Sequence, residues 1–176
     1  ADLVAAEDSG DGSLDESGFL HVYYGNPVFP TSPSLVIASP GTGSLYSFWG
    51  RALTTGDFNG DTHVDIAIGV DEATVSGLTE AGRIDVYWGP DFTTRVEVHS
   101  PTPAQNDNFG VRVASGDATG DGIDDLIEAS CGDDAGGLIN VGSAHIFTGP
   151  TLTLLKTIPN PLPDGHGTCF GYEVHV

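Results

Sequence analysis

Trp49-Gly50-Arg51-Ala52-Leu53-Thr54-Thr55-Gly56-Asp57-Phe58-Asn59-Gly60-Asp61-Thr62-His63-Val64-Asp65-Ile66-Ala67-Ile68-Gly69 has a closely similar counterpart later in this chain. The counterpart is Phe109-Gly110-Val111-Arg112-Val113-Ala114-Ser115-Gly116-Asp117-Ala118-Thr119-Gly120-Asp121-Gly122-Ile123-Asp124-Asp125-Leu126-Ile127-Glu128-Ala129, aligned without a gap at an offset of 60 residues (57 to 117). A second pair repeats at the same offset: Gly82-Arg83-Ile84-Asp85-Val86-Tyr87-Trp88-Gly89-Pro90 and Gly142-Ser143-Ala144-His145-Ile146-Phe147-Thr148-Gly149-Pro150. Self-similarity at a fixed period is the mark of a repeat architecture.

The flanks keep the register. Phe170-Gly171-Tyr172-Glu173-Val174-His175-Val176 matches the opening of a unit, Asp2-Leu3-Val4-Ala5-Ala6 matches Asp65 to Gly69, and Gly18 to Gly25 matches the later aromatic stretch. The expected organisation is therefore a partial unit over 1–47 (its second to fourth strands), whole units over 48–107 and 108–168, and the first strand of a further unit over 169–176. The chain opens on Ala1 rather than Met, which reads as a mature or trimmed chain.

Each unit reads as four short strands. In the third these are 110–116, 125–130, 143–148 and 152–158, alternating apolar with polar or small residues between turn signals. Val111, Val113 and Ser115 share a face, and His145 and Phe147 oppose Ile146. Pro159 and Pro161 after the last strand suit an outer edge. Four strands in some 60 residues make a propeller blade. The expected fold is all-β, a β-propeller segment of about three four-stranded antiparallel blades, an incomplete ring by itself. An end strand of such an arc should pair with a further blade of the same parent protein or of another copy.

The loop between the first two strands reads Asp57-x-Asn59-x-Asp61-x-x-x-Asp65 in one unit and Asp117-x-Thr119-x-Asp121-x-x-x-Asp125 in the next. Oxygen ligands at positions 1, 3, 5 and 9 can converge on one hard cation, with the backbone carbonyls of His63 and Ile123 at position 7 closing the ring. Gly60 and Gly120 let the chain turn tightly. The bland alternative is an Asp/Asn/Gly turn without metal. An EF-hand loop needs Gly at position 6 and Glu at position 12 between helices. Thr62 and Ile68 fail both tests; Gly122 and Glu128 pass them, but the flanks are strand-like, so Glu128 reads as a strand residue.

An aromatic-Gly pair, then an Asp-x-Asn-x-Asp-x-x-x-Asp loop, then a hydrophobic strand resembles the FG-GAP repeats of integrin α-subunit β-propellers and their bacterial relatives. Phe109-Gly110 and Phe170-Gly171 match the Phe-Gly element, and Trp49-Gly50 replaces its aromatic. The Gly-Ala-Pro element is degenerate: Gly69-Val70-Asp71, Ala129-Ser130-Cys131 and Ala6-Glu7-Asp8 occupy its place. The resemblance implies structural Ca²⁺ in the loop joining the first two strands of a blade, and an extracellular or cell-surface location.

Composition narrows the partners. With 25 acidic and 5 basic residues, net charge −20, the chain lacks the basic face that nucleic acid or an anionic membrane needs. No apolar run approaches the ~20 residues of a membrane span. Six histidines show no zinc spacing, no Gly-x-Ser-x-Gly elbow is present, and Gly41-Thr42-Gly43 lacks a third dinucleotide-binding glycine. No enzymatic activity is expected. Glu7 to Glu16 reads as a solvated acidic loop, with a weak cation site as the alternative. Tyr23, Tyr24, Tyr87, Trp88 and Phe147 read as core between blades, with a ligand platform as the alternative. Cys131 and Cys169 would form one bridge if secreted, or remain two buried thiols. The function expected is a calcium-binding extracellular propeller module for adhesion, surface assembly, or protein or carbohydrate binding. The alternatives are an accessory region of a secreted phospholipase- or polysaccharide-active enzyme and a self-assembling structural subunit.

Overall fold

The computed structural model describes residues 2–7, 18–25, 28, 30–40, 48–134, 138–162 and 169–175. Most of the acidic stretch between Glu7 and Glu16, and Gly41-Thr42-Gly43, lie outside them. Eleven strands are formed among these residues, no helix, and they group into three antiparallel sheets. The first sheet is β1 (Leu3–Glu7), β2 (Phe19–Tyr23) and β3 (Leu35–Ala38). The second is β4 (Ala52–Gly56), β5 (Asp65–Val70), β6 (Arg83–Tyr87) and β7 (Arg95–Val98). The third is β8 (Arg112–Gly116), β9 (Asp125–Ser130), β10 (Ser143–Thr148) and β11 (Thr153–Pro159). Each is a meander in chain order, and the described strands do not close a ring. The chain is thus a partial propeller, which implies further blades or partners.

The 60-residue period is visible in the pairing. Ile68 pairs Asp85 across β5 and β6, and Glu128 pairs His145 across β9 and β10. Blades stack face to face, so a central strand buries both faces and reads as a continuous apolar run. β5 (DIAIGV) is buried along its whole length. Ile66, Ile68 and Val70 pack with Leu20 and Val22 of the first sheet, and Ala67 packs the other way, with Ile84, Val86, Leu126 and Phe147. Fully burying each of these aliphatic side chains contributes about 1.5–3 kcal/mol. The outer strand β11 is exposed throughout, as its flanking prolines predict.

Successive blades are joined by the aromatic-Gly turns. Gly50, Gly110 and Gly171 all take left-handed φ values, +99°, +88° and +86°. Phe109 N–H donates to Ala81 O (3.1 Å), and Phe170 N–H to Val141 O (3.4 Å), the equivalent carbonyl one blade on. A Cβ on Gly110 would stand 2.7 Å from Arg83 O, so only glycine permits this approach. Residues 110–111 therefore form the turn, and the strand expected from 110 starts at Arg112. The first strand expected over 169–176 is not formed over the described residues 169–175. A strand is defined by its backbone ladder, and among the described strands none pairs with that segment; the Arg112 side chain of β8 holds it instead, donating Nε–H to Tyr172 O (2.9 Å) and lying over the Tyr172 ring.

Cys131 and Cys169, left open above, are joined as a disulfide with Cα atoms 4.4 Å apart. Cys131 follows β9 and Cys169 precedes the Phe170-Gly171 turn that docks on the same blade. Of the aromatic residues expected between blades, Tyr87 and Phe147 are buried, Trp88 and Tyr23 partly so, and Tyr24 is exposed.

Candidate metal centres

Both aspartate loops connect the first two strands of a blade, β4 to β5 and β8 to β9. The position-1 aspartates organise them identically. Asp57 Oδ1 accepts the N–H groups of Gly60 (2.8 Å) and Asp61 (3.1 Å), and its Oδ2 accepts Thr62 N–H (2.8 Å). Asp117 does the same with Gly120 (2.6 Å), Asp121 (3.0 Å) and Gly122 (2.9 Å). Gly60 and Gly120 turn through φ +76° and +80°, as expected. Position 6 is also left-handed, at Gly122 (+88°) and at Thr62 (+73°). The β-branched Thr62 hid that requirement in the sequence.

The position-9 aspartates are fully buried. Asp65 accepts Phe58 N–H (2.9 Å) and Gly89 N–H (2.8 Å); Asp125 accepts Thr119 N–H (2.9 Å) and Gly149 N–H (3.3 Å). Each ties its loop to the Gly-Pro turn beyond the third strand, where both Gly-Pro bonds are cis. At position 5, Asp61 Oδ1 accepts His63 N–H (2.8 Å) and Asp121 Oδ1 accepts Ile123 N–H (2.9 Å). At position 3, Asn59 Oδ1 accepts Asp61 N–H (2.9 Å) while its Nδ2 donates to Asp61 Oδ2 (3.1 Å). Thr119 touches the second loop through its backbone N–H.

The electrostatics divide by position. The His63 backbone N–H holds the exposed Asp61 carboxyl below its ordinary range. Burial pushes Asp65 up; the Gly89 and Phe58 N–H groups oppose this, and the charges of Asp61 and Asp57 add to it. The carboxylates of the first loop thus repel one another, the penalty a cation relieves. Three carboxylates with an amide oxygen, or with a hydroxyl, fit a hard divalent cation by donor chemistry. Among the described residues no group of three or more His, Cys, Asp or Glu side chains stands converged; the carboxylates turn to backbone N–H groups instead. His63 and Ile123 hold the expected loop positions, and the Ile123 side chain packs against Gly60 of the preceding loop.

Three further acidic residues matter that the repeat pattern did not single out as sites. Glu128, at the EF-hand-like position 12, is a buried β9 residue, so the EF-hand alternative falls. It accepts Gly110 N–H (2.9 Å) and Ser130 Oγ–H (2.6 Å), with His145 Nδ1 at 2.9 Å. Asp85 accepts Trp49 Nε1–H (3.0 Å), Arg83 Nε–H (2.8 Å) and Arg95 Nη1–H (2.6 Å). Burial, then the Asp85 charge, pushes the neighbouring Tyr87 hydroxyl up to about 12. Asp124 reaches the preceding blade's loop, accepting Asp57 N–H at 2.9 Å.

The FG-GAP repeat family matches residues 49–87, within the first whole unit and through its third strand. Integrin alpha-PS2 of Drosophila melanogaster is 33% identical over 134 residues, which cover 72% of this chain and 8% of that protein. The chain thus corresponds to a small part of the length of the curated relative it matches. This likeness is consistent with divalent-cation binding in general.

Proposed function

Taking as premise that the chain is an FG-GAP, integrin-α-like region of β-propeller type, we propose that it is a non-catalytic, extracellular adhesion-type module whose blades are stabilised by Ca²⁺. One ion is held by Asp57, Asn59, Asp61, Asp65 and the His63 carbonyl, and another by Asp117, Thr119, Asp121, Asp125 and the Ile123 carbonyl. The observation that carries this reading is the paired loop itself: two oxygen-rich loops in register, each pre-turned around its position-1 aspartate. Bound Ca²⁺ supplies charge neutralisation. The chain's own residues do the positioning: Asp57 and Asp117 fix the turn, and Asp65 and Asp125 anchor it to the blade. The Cys131–Cys169 bridge supports an oxidising compartment. Its partners are further blades and a protein ligand.

Thermal unfolding in Ca²⁺ and in excess chelator tests this. An ion present at a hundredfold excess over its Kd stabilises the native state by about 2.7 kcal/mol per site. Calcium should therefore raise the midpoint, and Asp61→Ala combined with Asp121→Ala should abolish the rise. An unchanged midpoint in chelator overturns the calcium reading.

A further inference from the structure

Residues 123 and 124 of the second loop sit on the first loop, one blade away. Asp124 Oδ2 accepts Asp57 N–H at 2.9 Å, and Asp124 N–H donates back to Asp57 O at 3.1 Å. Both peptide groups of the residue that opens the first loop are thus held by one residue of the second. Ile123 completes the contact: a Cβ on Gly60 would lie 3.0 Å from its Cδ1. Behind Asp124, a Cβ on Gly56 would lie 2.9 Å from its Oδ2, so glycine there makes the room its carboxylate needs. The corresponding position of the first loop is Val64, 57% exposed and without a side-chain acceptor, so the strap belongs to this junction and not to the repeat.

We propose that Asp124 is a positioning residue for the neighbouring blade's loop, and that the loops 57–65 and 117–125 open, close and respond to a cation as one unit. The chain of contacts is short. Asp57 gathers the first loop through three N–H groups, Asp124 holds the Asp57 backbone, and Asp124 stands between two expected ligands of its own loop, the Ile123 carbonyl and Asp125. Drawing the second loop around an ion moves the 123–124 peptide, which is fastened to the start of the first. Two sites that share a fastened element bind with a coupling free energy. The cation half of the inference rests on the calcium reading above; the strap does not.

The test uses the full chain. Amide hydrogen exchange without added metal reads the strap. Because a hydrogen bond to a charged group is worth about 1.5–3 kcal/mol, Asp124→Ala should speed exchange over 57–62 by about tenfold or more. Asp124→Asn, which keeps an acceptor, should restore most of the protection. Gly56→Ala, which displaces the carboxylate without deleting it, should speed exchange as Asp124→Ala does. Unchanged exchange at 57–62 in Asp124→Ala overturns the strap. Calorimetric Ca²⁺ titration reads the coupling: Asp121→Ala should weaken the remaining site severalfold in the wild-type background and leave it unchanged in Asp124→Ala. Equal effects in both backgrounds overturn the coupling. No Ca²⁺ binding by the wild type overturns the calcium reading and the coupling with it, and the exchange result alone then decides the strap.

Discussion

Where β5 and β6 meet the blade before them, Ile68 stands opposite Asp85; at the same register of β9 and β10, Glu128 stands opposite His145. The aromatic frame at these two junctions is common. Trp49 meets Tyr87 edge-on with centroids 6.3 Å apart, and Phe109 meets Phe147 edge-on at 5.9 Å. The polar filling is not. The first junction buries one carboxylate against an indole N–H and two guanidinium groups. The second buries a carboxylate–imidazole pair closed by a serine hydroxyl and the turn's own Gly110 N–H. Apolar shape and aromatic packing fix how blades stack, and each junction then solves for itself how its buried charge is neutralised. Solvation makes that second task local: a buried charge needs partners within hydrogen-bond reach, and any set of them will serve.

The largest expected effect comes from removing one member of the first junction. Asp85→Ala leaves the buried Arg83 guanidinium and the Trp49 N–H without their shared acceptor, and should cost about 3–5 kcal/mol in urea unfolding. A loss under 1 kcal/mol would mean that Glu97, which already pairs with both arginines, takes over their charge, and that the two junctions are not alike in burying charge. In the second junction, Glu128→Ala should cost about 3 kcal/mol, because Gly110 N–H and Ser130 Oγ–H lose their acceptor and His145 its buried partner. Glu128→Ile with His145→Leu should cost less than the single change, since it copies the apolar side of the first junction and removes both ends of the pair. Additive losses in that cycle would show that the pair is not coupled.

A pH series reads the second junction. Burial pushes the Glu128 carboxyl up from its ordinary 4.5, against the opposing hydrogen bonds from His145 and Gly110. Above pH 4.5 the unfolded chain has lost this proton while the native state still holds it, so the native state binds more protons. Stability from this group is full below that pH and is lost as pH rises through the native value. Wild type compared with Glu128→Gln across pH 4–7 should show this slope, and Ile68→Val in the first junction should leave it unchanged. Parallel curves for wild type and Glu128→Gln would remove Glu128 as its source. The smallest effect concerns the loops. Thr62→Gly gives the first loop the residue that the second has at Gly122, relieves a left-handed β-branched residue, and should stabilise by about 1 kcal/mol. Destabilisation would show that the Thr62 methyl contributes more than its strain costs.

The repeat made the scaffold readable. Pairing Asp57 with Asp117 and Gly82 with Gly142 set the blade period, and strands 125–130 and 143–148 form at the bounds expected from sequence. The opening strand begins two residues later than the 110–116 expected, because Gly110 and Val111 look strand-like until the turn docks Gly110 on Arg83. The oxygen-donor pattern of the two loops was legible in sequence, and the grip of Asp57 and Asp117 on three N–H groups was not, because backbone donors carry no residue signature. Nothing in the spacing of Glu128, His145 and Gly110 announced their contact, which exists only once two strands and a turn are in register. Asp124 differs from Val64 at one repeat position, and its partner lies in another blade. Cys131 follows a second strand and Cys169 precedes the next Phe-Gly, points that the blade register can bring to one junction, and the bridge forms where the Phe170 turn folds back on β9.

That bridge also sets how the chain carries force. Tension applied along the backbone enters Cys131 and leaves Cys169 through the sulfur atoms, so the 38-residue span between them, with β10 and β11, hangs off the line of load. At 3.3–3.6 Å per extended residue the bridge withholds about 130 Å of contour length. The exposed outer strand β11 can unzip from β10 without lengthening the molecule under pull, and a reductant turns the span into slack that pays out.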